Sequence, residues 1–232
     1  MNDFVEIDFT LKDDEGSVVE TTLPQVAKDN GFFDDKFDYK PLIVILGSNS
    51  VVPGLEEALS GVKAGESKQF SLTPEKAFGP REAELVKLIS LGKFKEQGLN
   101  PTVGMVMDFD GVPGKITSVD SGRVKVDFNN PLAGKNISYE VKVLNVYSTP
   151  DAKAKGLVAN AFKGQEVSVT VNADKAVVSA SSKVVKDSNF ITKKLRVMQV
   201  LLQYAGFKLI QFVEDYALPQ EHDHDDHAGH NH

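Results

Sequence analysis

From Phe4 to Lys12 the chain alternates with a period of two: Val5, Ile7, Phe9 and Leu11 fall on one side, and Glu6, Asp8, Thr10 and Lys12 on the other. This is the pattern of a strand with one buried and one wet face, not of a helix, whose apolar positions recur every three to four residues. A second alternating stretch, Ile137 to Val146, presents Tyr139, Val141 and Val143 to one face and closes the domain that the first one opens. Between them the spacing predicts a turn at Asp13-Asp14-Glu15-Gly16, a short strand Ser17 to Thr22 and a polar loop. A buried strand Leu42 to Leu46, a short helix Leu55 to Leu59 after Pro53-Gly54, and a strand Glu66 to Leu72 follow.

The character changes from about Arg81 to Phe128. A short helical stretch near Lys93 to Gln97 is followed by Met105 to Phe109, a break at Gly111-Val112-Pro113-Gly114, and Ile116 to Val119. Asp120-Ser121-Gly122 then turns the chain into Arg123 to Phe128, which reads as a small subdomain closed by a hairpin. Thr149-Pro150 places a capping residue before a proline at the first helical position, so a helix runs to Phe162 and marks a domain boundary. Strands Val167 to Val171 and Ala176 to Ala180, a helix Ser188 to Ala205 and a strand Phe207 to Val213 complete an α-β-β-α-β unit. Ile191, Leu195, Met198, Leu202 and Ala205 share one helical stripe, expected to be the buried one. Val197, Val200, Leu201 and Tyr204 beside it widen the apolar surface, which predicts a homodimer through this domain; the alternative is a monomer with a well-buried helix.

Composition removes most chemistries. Net charge is −7, with 33 acids against 26 bases, but Glu221, Asp223, Asp225 and Asp226 lie in the tail, so the body is only mildly acidic. No basic stripe is present, which argues against nucleic acid and against an anionic membrane surface. The chain has no cysteine, and all five histidines lie at 222 or beyond. The globular part therefore cannot build a thiol nucleophile, a Ser-His-Asp triad or a histidine metal site. Neither a Gly-x-x-x-x-Gly-Lys-Ser/Thr loop nor a Gly-x-Gly-x-x-Gly after a strand occurs. What remains is chemistry that needs little acid, base or metal. With no secretion signal at the N-terminus and no apolar run long enough to span a bilayer, a cytoplasmic location without a membrane partner is expected.

Three segments narrow the choice: Gly47-Ser48-Asn49-Ser50-Val51-Val52-Pro53-Gly54-Leu55-Glu56-Glu57-Ala58-Leu59, Thr73-Pro74-Glu75-Lys76-Ala77-Phe78-Gly79 and Pro131-Leu132-Ala133-Gly134. In order and spacing they resemble the FKBP-type peptidyl-prolyl isomerases. An insert directly after Ala77-Phe78-Gly79 is similar to the SlyD-like and long archaeal branch, where a subdomain sits in the flap. The resemblance implies an α+β fold, with an FKBP-like antiparallel half-barrel sheet and short helix formed by residues 1–83 plus 129–148. It further implies a β-rich insert-in-flap chaperone subdomain at 84–128, a C-terminal α+β domain at 149–219 and a disordered tail at 220–232.

By the same resemblance the pocket positions are Phe9, Val19, Leu42, Val51, Val52, Leu55, Phe78 and Tyr139, and Glu20 stands where most members carry aspartate. The Val52 backbone N–H would donate to the substrate carbonyl. The implied activity is rotation of X–Pro bonds in unfolded or nascent polypeptides, and it needs no cofactor. It suits apolar walls: the planar amide is the more charge-separated state, so a pocket poor in water favours the twisted one. Phe78 replaces a tyrosine hydroxyl and Glu20 is longer than aspartate, each a hydrogen-bond change of about 0.5–1.5 kcal/mol. Moderate activity and weakened affinity for macrolide inhibitors are expected. A non-catalytic holdase is the rival reading, disfavoured because every pocket position is apolar or aromatic.

The insert carries more apolar residues than so small a domain buries easily, Leu85, Leu88, Leu99 and Val112 among them. Leu91, Phe94, Met105 and Met107 are the candidates for a polypeptide-binding surface, a fully buried minicore being the alternative. In the tail, His222, His224, His227, His230 and His232 interleave with acids. Such imidazoles can wrap Ni²⁺ or Zn²⁺, and the resemblance to SlyD-like tails points to nickel, with adventitious chelation as the alternative.

Overall fold

A computed structural model describes residues 2–216. It divides into two compact units, Val5–Val146 and a second one built from Tyr147 onward together with the N-terminal residues through Phe4.

In the first unit, β1 (Phe4–Lys12), β2 (Val18–Thr21), α1 (Pro24–Asp29), β3 (Leu42–Ile45), α2 (Pro53–Ala58) and β4 (Ser67–Leu72) come first. The excursion β5 (Val86–Ser90), α3 (Leu91–Glu96), β6 (Val106–Phe109), β7 (Val112–Asp120) and β8 (Arg123–Asp127) follows, and β9 (Ile137–Tyr147) returns the chain to the first sheet. That sheet runs β2-β1-β9-β4, with β3 also paired to β1. Its inner face carries Val5, Ile7, Phe9 and Leu11 from β1 and Ile137, Tyr139, Val141 and Val143 from β9, all buried with Leu55 of α2 and Leu59, its C-cap. The α+β antiparallel architecture read from the sequence is borne out.

Helix α2 can approach the sheet closely because residue 54 has no side chain. A Cβ there would lie 2.4 Å from a Leu72 methyl, well inside contact distance. The loop before it depends on Gly47 and Asn49, both in the left-handed region with φ of 80° and 54°.

The excursion is a four-stranded antiparallel sheet, β5-β8-β7-β6, around Phe94, Ile116, Val124 and Val126. Val112-Pro113-Gly114, read from the sequence as a break, lies within β7. Phe109 pairs with Val112, so Asp110-Gly111 form a two-residue turn with both φ values positive, the geometry that matches strand twist. Helix α1 and strand β5 were not anticipated. Six residues of helix beginning at Pro24 are too short to show a periodicity.

In the second unit, α4 (Pro150–Ala161) starts at Thr149, whose hydroxyl accepts from the Ala152 N–H at 3.2 Å. Strands β10 (Val167–Asn172) and β11 (Lys175–Ala180) form a hairpin. Helices α5 (Ser182–Val185) and α6 (Phe190–Tyr204) then cross over to β12 (Leu209–Glu214), which pairs parallel to β11.

The expected buried stripe of α6 is a correction. The helix buries Phe190, Val197, Leu201 and Ala205, whereas Ile191, Leu195 and Leu202 are 59%, 58% and 44% exposed. The buried stripe contains Lys194, whose charge hides it in the sequence. That lysine runs its stem inward and meets Glu214, with its ammonium 5.4 Å from the Phe212 ring centroid. The neighbouring stripe is wholly apolar and reads as core, yet Ile191, Leu195 and Leu202 face outward, Met198 is half-buried and only Ala205 is buried.

Lys153 of α4 is fully buried, and among the described residues its ammonium has no hydrogen-bond partner. It lies 5.5 Å from the Phe4 ring centroid. Loss of hydration pushes its pKa below the usual lysine range, partly opposed by Asp3. A lysine whose folded pKa is depressed leaves the unfolded chain holding more protons, so its contribution to stability improves as pH rises. Lys153→Met should therefore raise the Tm of this unit by about 2–4 °C at neutral pH. The gain should shrink toward the ordinary lysine pKa of about 10.4. Calorimetry across pH checks this; a lowered Tm would mean that the contact with Phe4 outweighs the desolvation.

Candidate active site

Strands β1 and β9 bring Phe9 and Tyr139 side by side, with ring centroids 5.8 Å apart. Leu55, one turn into α2, packs with them, and the three are 6%, 5% and 2% exposed. Against this buried floor, Leu42, Val51, Val52 and Phe78 pack half-buried. Seven of the sequence-predicted positions therefore gather in one cluster, floor and rim together.

Phe70 belongs to the same group and was missed. It pairs with Tyr139 in the β4–β9 register and stacks on it at 5.6 Å and 25°. Its place in a strand alternating with Lys68 and Leu72 was the available signal. Val19, by contrast, is 39% exposed at the sheet edge.

Val52 precedes α2 as its N-cap and carries no capping side chain. Its carbonyl accepts from the N–H groups of Leu55 and Glu56 at 3.0 and 3.2 Å. Among the described residues its own N–H has no acceptor, so a donor stands free in the half-buried rim. The loop before it is held by Glu56, whose carboxylate accepts from the Gly47 N–H.

Glu20 is set by the end of β2. Thr21 donates to the Phe9 carbonyl at 2.9 Å, the Phe9 N–H donates to Thr22 Oγ1 at 3.0 Å, and Thr22 in turn donates to Asp8 at 2.9 Å. Glu20 is exposed as a whole residue, but protein atoms around its carboxyl raise its pKa by desolvation. The same crowding, with Glu20's charge adding to it, pushes the Tyr139 phenol up to about 12. Tyr139 thus stays a neutral hydroxyl through the physiological range.

The chain leaves for the excursion and returns from it through one polar clasp. The Gly134 N–H donates to the Gly79 carbonyl at 2.9 Å, which ties the Pro131-Leu132-Ala133-Gly134 segment to the end of Phe78-Gly79. Asn129 pairs both ways with the backbone of Glu82, accepting its N–H at 2.8 Å and donating to its carbonyl at 2.9 Å. Asp127, nearly buried, meets Arg81 and accepts from Asn129. Burial alone would raise the Asp127 pKa, but the bonds from Asn129 and the charges of Arg81 and Lys115 bring it below the usual range.

Within the excursion the predicted binding residues divide. Phe94 is 3% exposed and belongs to the minicore, so it offers no surface to a ligand; an aromatic ring on the inner face of a short helix is what holds that sheet. Leu91 and Met107 are half-buried against it, and Met105 is 38% exposed. Leu88, Val103 and Val106 are more open still, at 61%, 66% and 63%. Among the described residues no cluster of histidine, cysteine or carboxylate side chains could hold a metal, and no helix is long and apolar enough to cross a membrane. His222, His224, His227, His230 and His232 lie outside the described residues.

Comparison with known proteins agrees with this arrangement. The family model described as FKBP-type peptidyl-prolyl cis-trans isomerase matches residues 1–90, and one described as FKBP26, IF domain matches residues 87–132. The short-type peptidyl-prolyl cis-trans isomerase of Methanocaldococcus jannaschii is 35% identical over 144 residues, covering 62% of this chain and 91% of that protein. The FKBP-type 16 kDa peptidyl-prolyl cis-trans isomerase of Escherichia coli K12 is 36% identical over 150 residues, with coverage of 62% and 91%. The FKBP-type isomerase SlyD of Aeromonas hydrophila is 29% identical over 160 residues, with coverage of 68% and 69%. With relatives at 35% and 36% identity covered over 91% of their length, the chain belongs to the family of FKBP-type peptidyl-prolyl cis-trans isomerases.

Proposed function

We propose that the chain catalyses cis-trans isomerisation of X–Pro bonds in unfolded or nascent cytoplasmic polypeptides and holds such segments on its excursion domain. The observation that carries the reading is the free Val52 N–H beside an apolar floor of Phe9, Leu55 and Tyr139. A prolyl ring seated on that floor loses water, and the desolvated amide loses part of the charge separation that keeps it planar. The Val52 N–H fixes a neighbouring carbonyl without consuming a proton. No step requires a group to ionise, which accords with the absence of histidine before residue 222.

Two features favour the holding role. Leu88, Val103, Met105, Val106 and Val112 leave apolar surface on a domain with a small core. Strand β6 is also an edge of its sheet, with one side of its backbone unpaired. Self-association is assigned to the outward stripe of α6. A second copy would cover Ile191, Leu195 and Leu202, since a helix face with apolar residues at this spacing packs best on its own equivalent across a two-fold axis.

Four outcomes test these assignments. In a protease-coupled tetrapeptide assay, turnover should be flat between about pH 7 and 9, because the Tyr139 phenol loses its proton only near 12. Phe78→Tyr should raise kcat/KM about two- to tenfold by restoring one hydrogen bond; no turnover above buffer would refute the catalytic role. Deleting residues 84–128 should abolish suppression of aggregation while tetrapeptide turnover persists, and unchanged suppression would reject the holding role. In sedimentation velocity, Leu195→Lys should convert a dimer to a monomer, whereas a monomeric parent chain removes the self-association proposal.

A further inference from the structure

Between α1 and β3 the chain makes a loop that carries Phe32, Phe33, Phe37 and Tyr39 within eight residues. None of these rings belongs to either core cluster of the first unit. Phe32, Phe33 and Phe37 are 38%, 40% and 56% exposed. The loop is nevertheless ordered by its own contacts. Phe33 stacks on Tyr39 at 5.2 Å and 10°, and the Lys28 ammonium lies 4.7 Å from the Phe33 ring centroid. The Asp34 N–H donates to the Tyr39 hydroxyl at 3.2 Å, and the Phe37 N–H to the Asp34 carbonyl at 3.2 Å. The Phe32 N–H donates to the Ala27 carbonyl at 3.1 Å. Phe33 and Tyr39 thus serve as scaffold. Phe37 stands edge-on to Tyr39 at 4.8 Å and is the most exposed of the rings, while Phe32 enters no ring pair.

The position of the loop identifies what these rings meet. It leaves from α1, which follows directly on the β2 strand of Val19 and Glu20, and ends at Leu42, a rim residue of the prolyl site. Tyr39 and Leu42 are three residues apart, so their Cα atoms lie within about 11 Å. An extended peptide advances about 3.3 Å per residue, so a side chain three or four positions from the bound proline reaches the loop. The loop's acids are largely engaged: Asp38 pairs with Lys40 at 2.8 Å and Asp34 accepts the Lys36 N–H at 2.9 Å. The rings are the loop's apolar surface. We infer that Phe32 and Phe37 form a second peptide subsite, which binds a bulky apolar side chain three or four residues from the isomerised proline of the same polypeptide. This rests on the prolyl-site reading, and it extends recognition beyond the X–Pro pair.

The test uses the full-length chain and labelled decapeptides with one central proline. Phenylalanine is placed four residues before the proline in one and four after it in another, and alanine at both places in a third. Anisotropy should give about five- to tenfold tighter binding for one phenylalanine peptide than for the alanine peptide. Phe32→Ser/Phe37→Ser, which leaves the Phe33–Tyr39 stack intact, should abolish that difference without changing tetrapeptide turnover. Phe37→Leu should retain most of it, and an unchanged circular dichroism melt shows that the variants fold. Equal binding of all three peptides by the parent chain, or a preference that survives the double substitution, overturns the subsite. A parent chain that prefers the phenylalanine peptide but turns over no tetrapeptide refutes the isomerase reading instead.

Discussion

The close seat of α2 on the sheet is the contact on which the site depends. With Gly54 against Leu72, the first turn of the helix lies low enough for Leu55 to join Phe9 and Tyr139 in the core. The residue just before that turn, Val52, is thereby left at the surface with an unused N–H. A larger side chain at position 54 would lift the helix by the width of a methyl and separate the donor from the apolar floor. The catalytic proposal therefore reduces to a geometric relation between one backbone N–H and three buried side chains. It explains how a chain without cysteine, and with no histidine before its tail, can still do chemistry.

The second requirement is that a whole domain can leave the sheet between β4 and β9 without disturbing it. The pairing of Asn129 with Glu82 and the tie between Gly134 and Gly79 close the exit and the return on each other. The flap residue Phe78 is thus fixed at one end of the clasp, and at the other β5 begins and β8 ends. Asp127 is the charged member, and Arg81 and Asn129 together compensate its burial. The two sheets are in this way joined by a short neck of hydrogen bonds and one ion pair.

Much of this was legible in the residues. The alternations of Phe4–Lys12 and Ile137–Tyr147 name the inner face directly, because a period of two leaves no freedom of phase. Proline and glycine positions located α2 and α4 to within a residue or two. The helical phase of α6 was not legible: two apolar stripes run side by side, and the buried one contains Lys194, whose charge is satisfied only by a strand twenty residues later. Phe70 and the aromatic loop were missed for the opposite reason. Their rings lie among polar neighbours, and only tertiary structure shows that Phe70 stacks on Tyr139 or that Phe33 stacks on Tyr39.

The central claim is that the Val52 N–H receives the substrate beside the Phe9–Leu55–Tyr139 floor. The most direct measurement is a nitrogen–proton NMR titration of the full chain with a proline tetrapeptide. The account predicts a downfield shift of the Val52 amide proton, accompanied by changes at Val51, Leu55 and Phe78. A titration that saturates while these amides stay in place, with the changes confined to other parts of the chain, would contradict it.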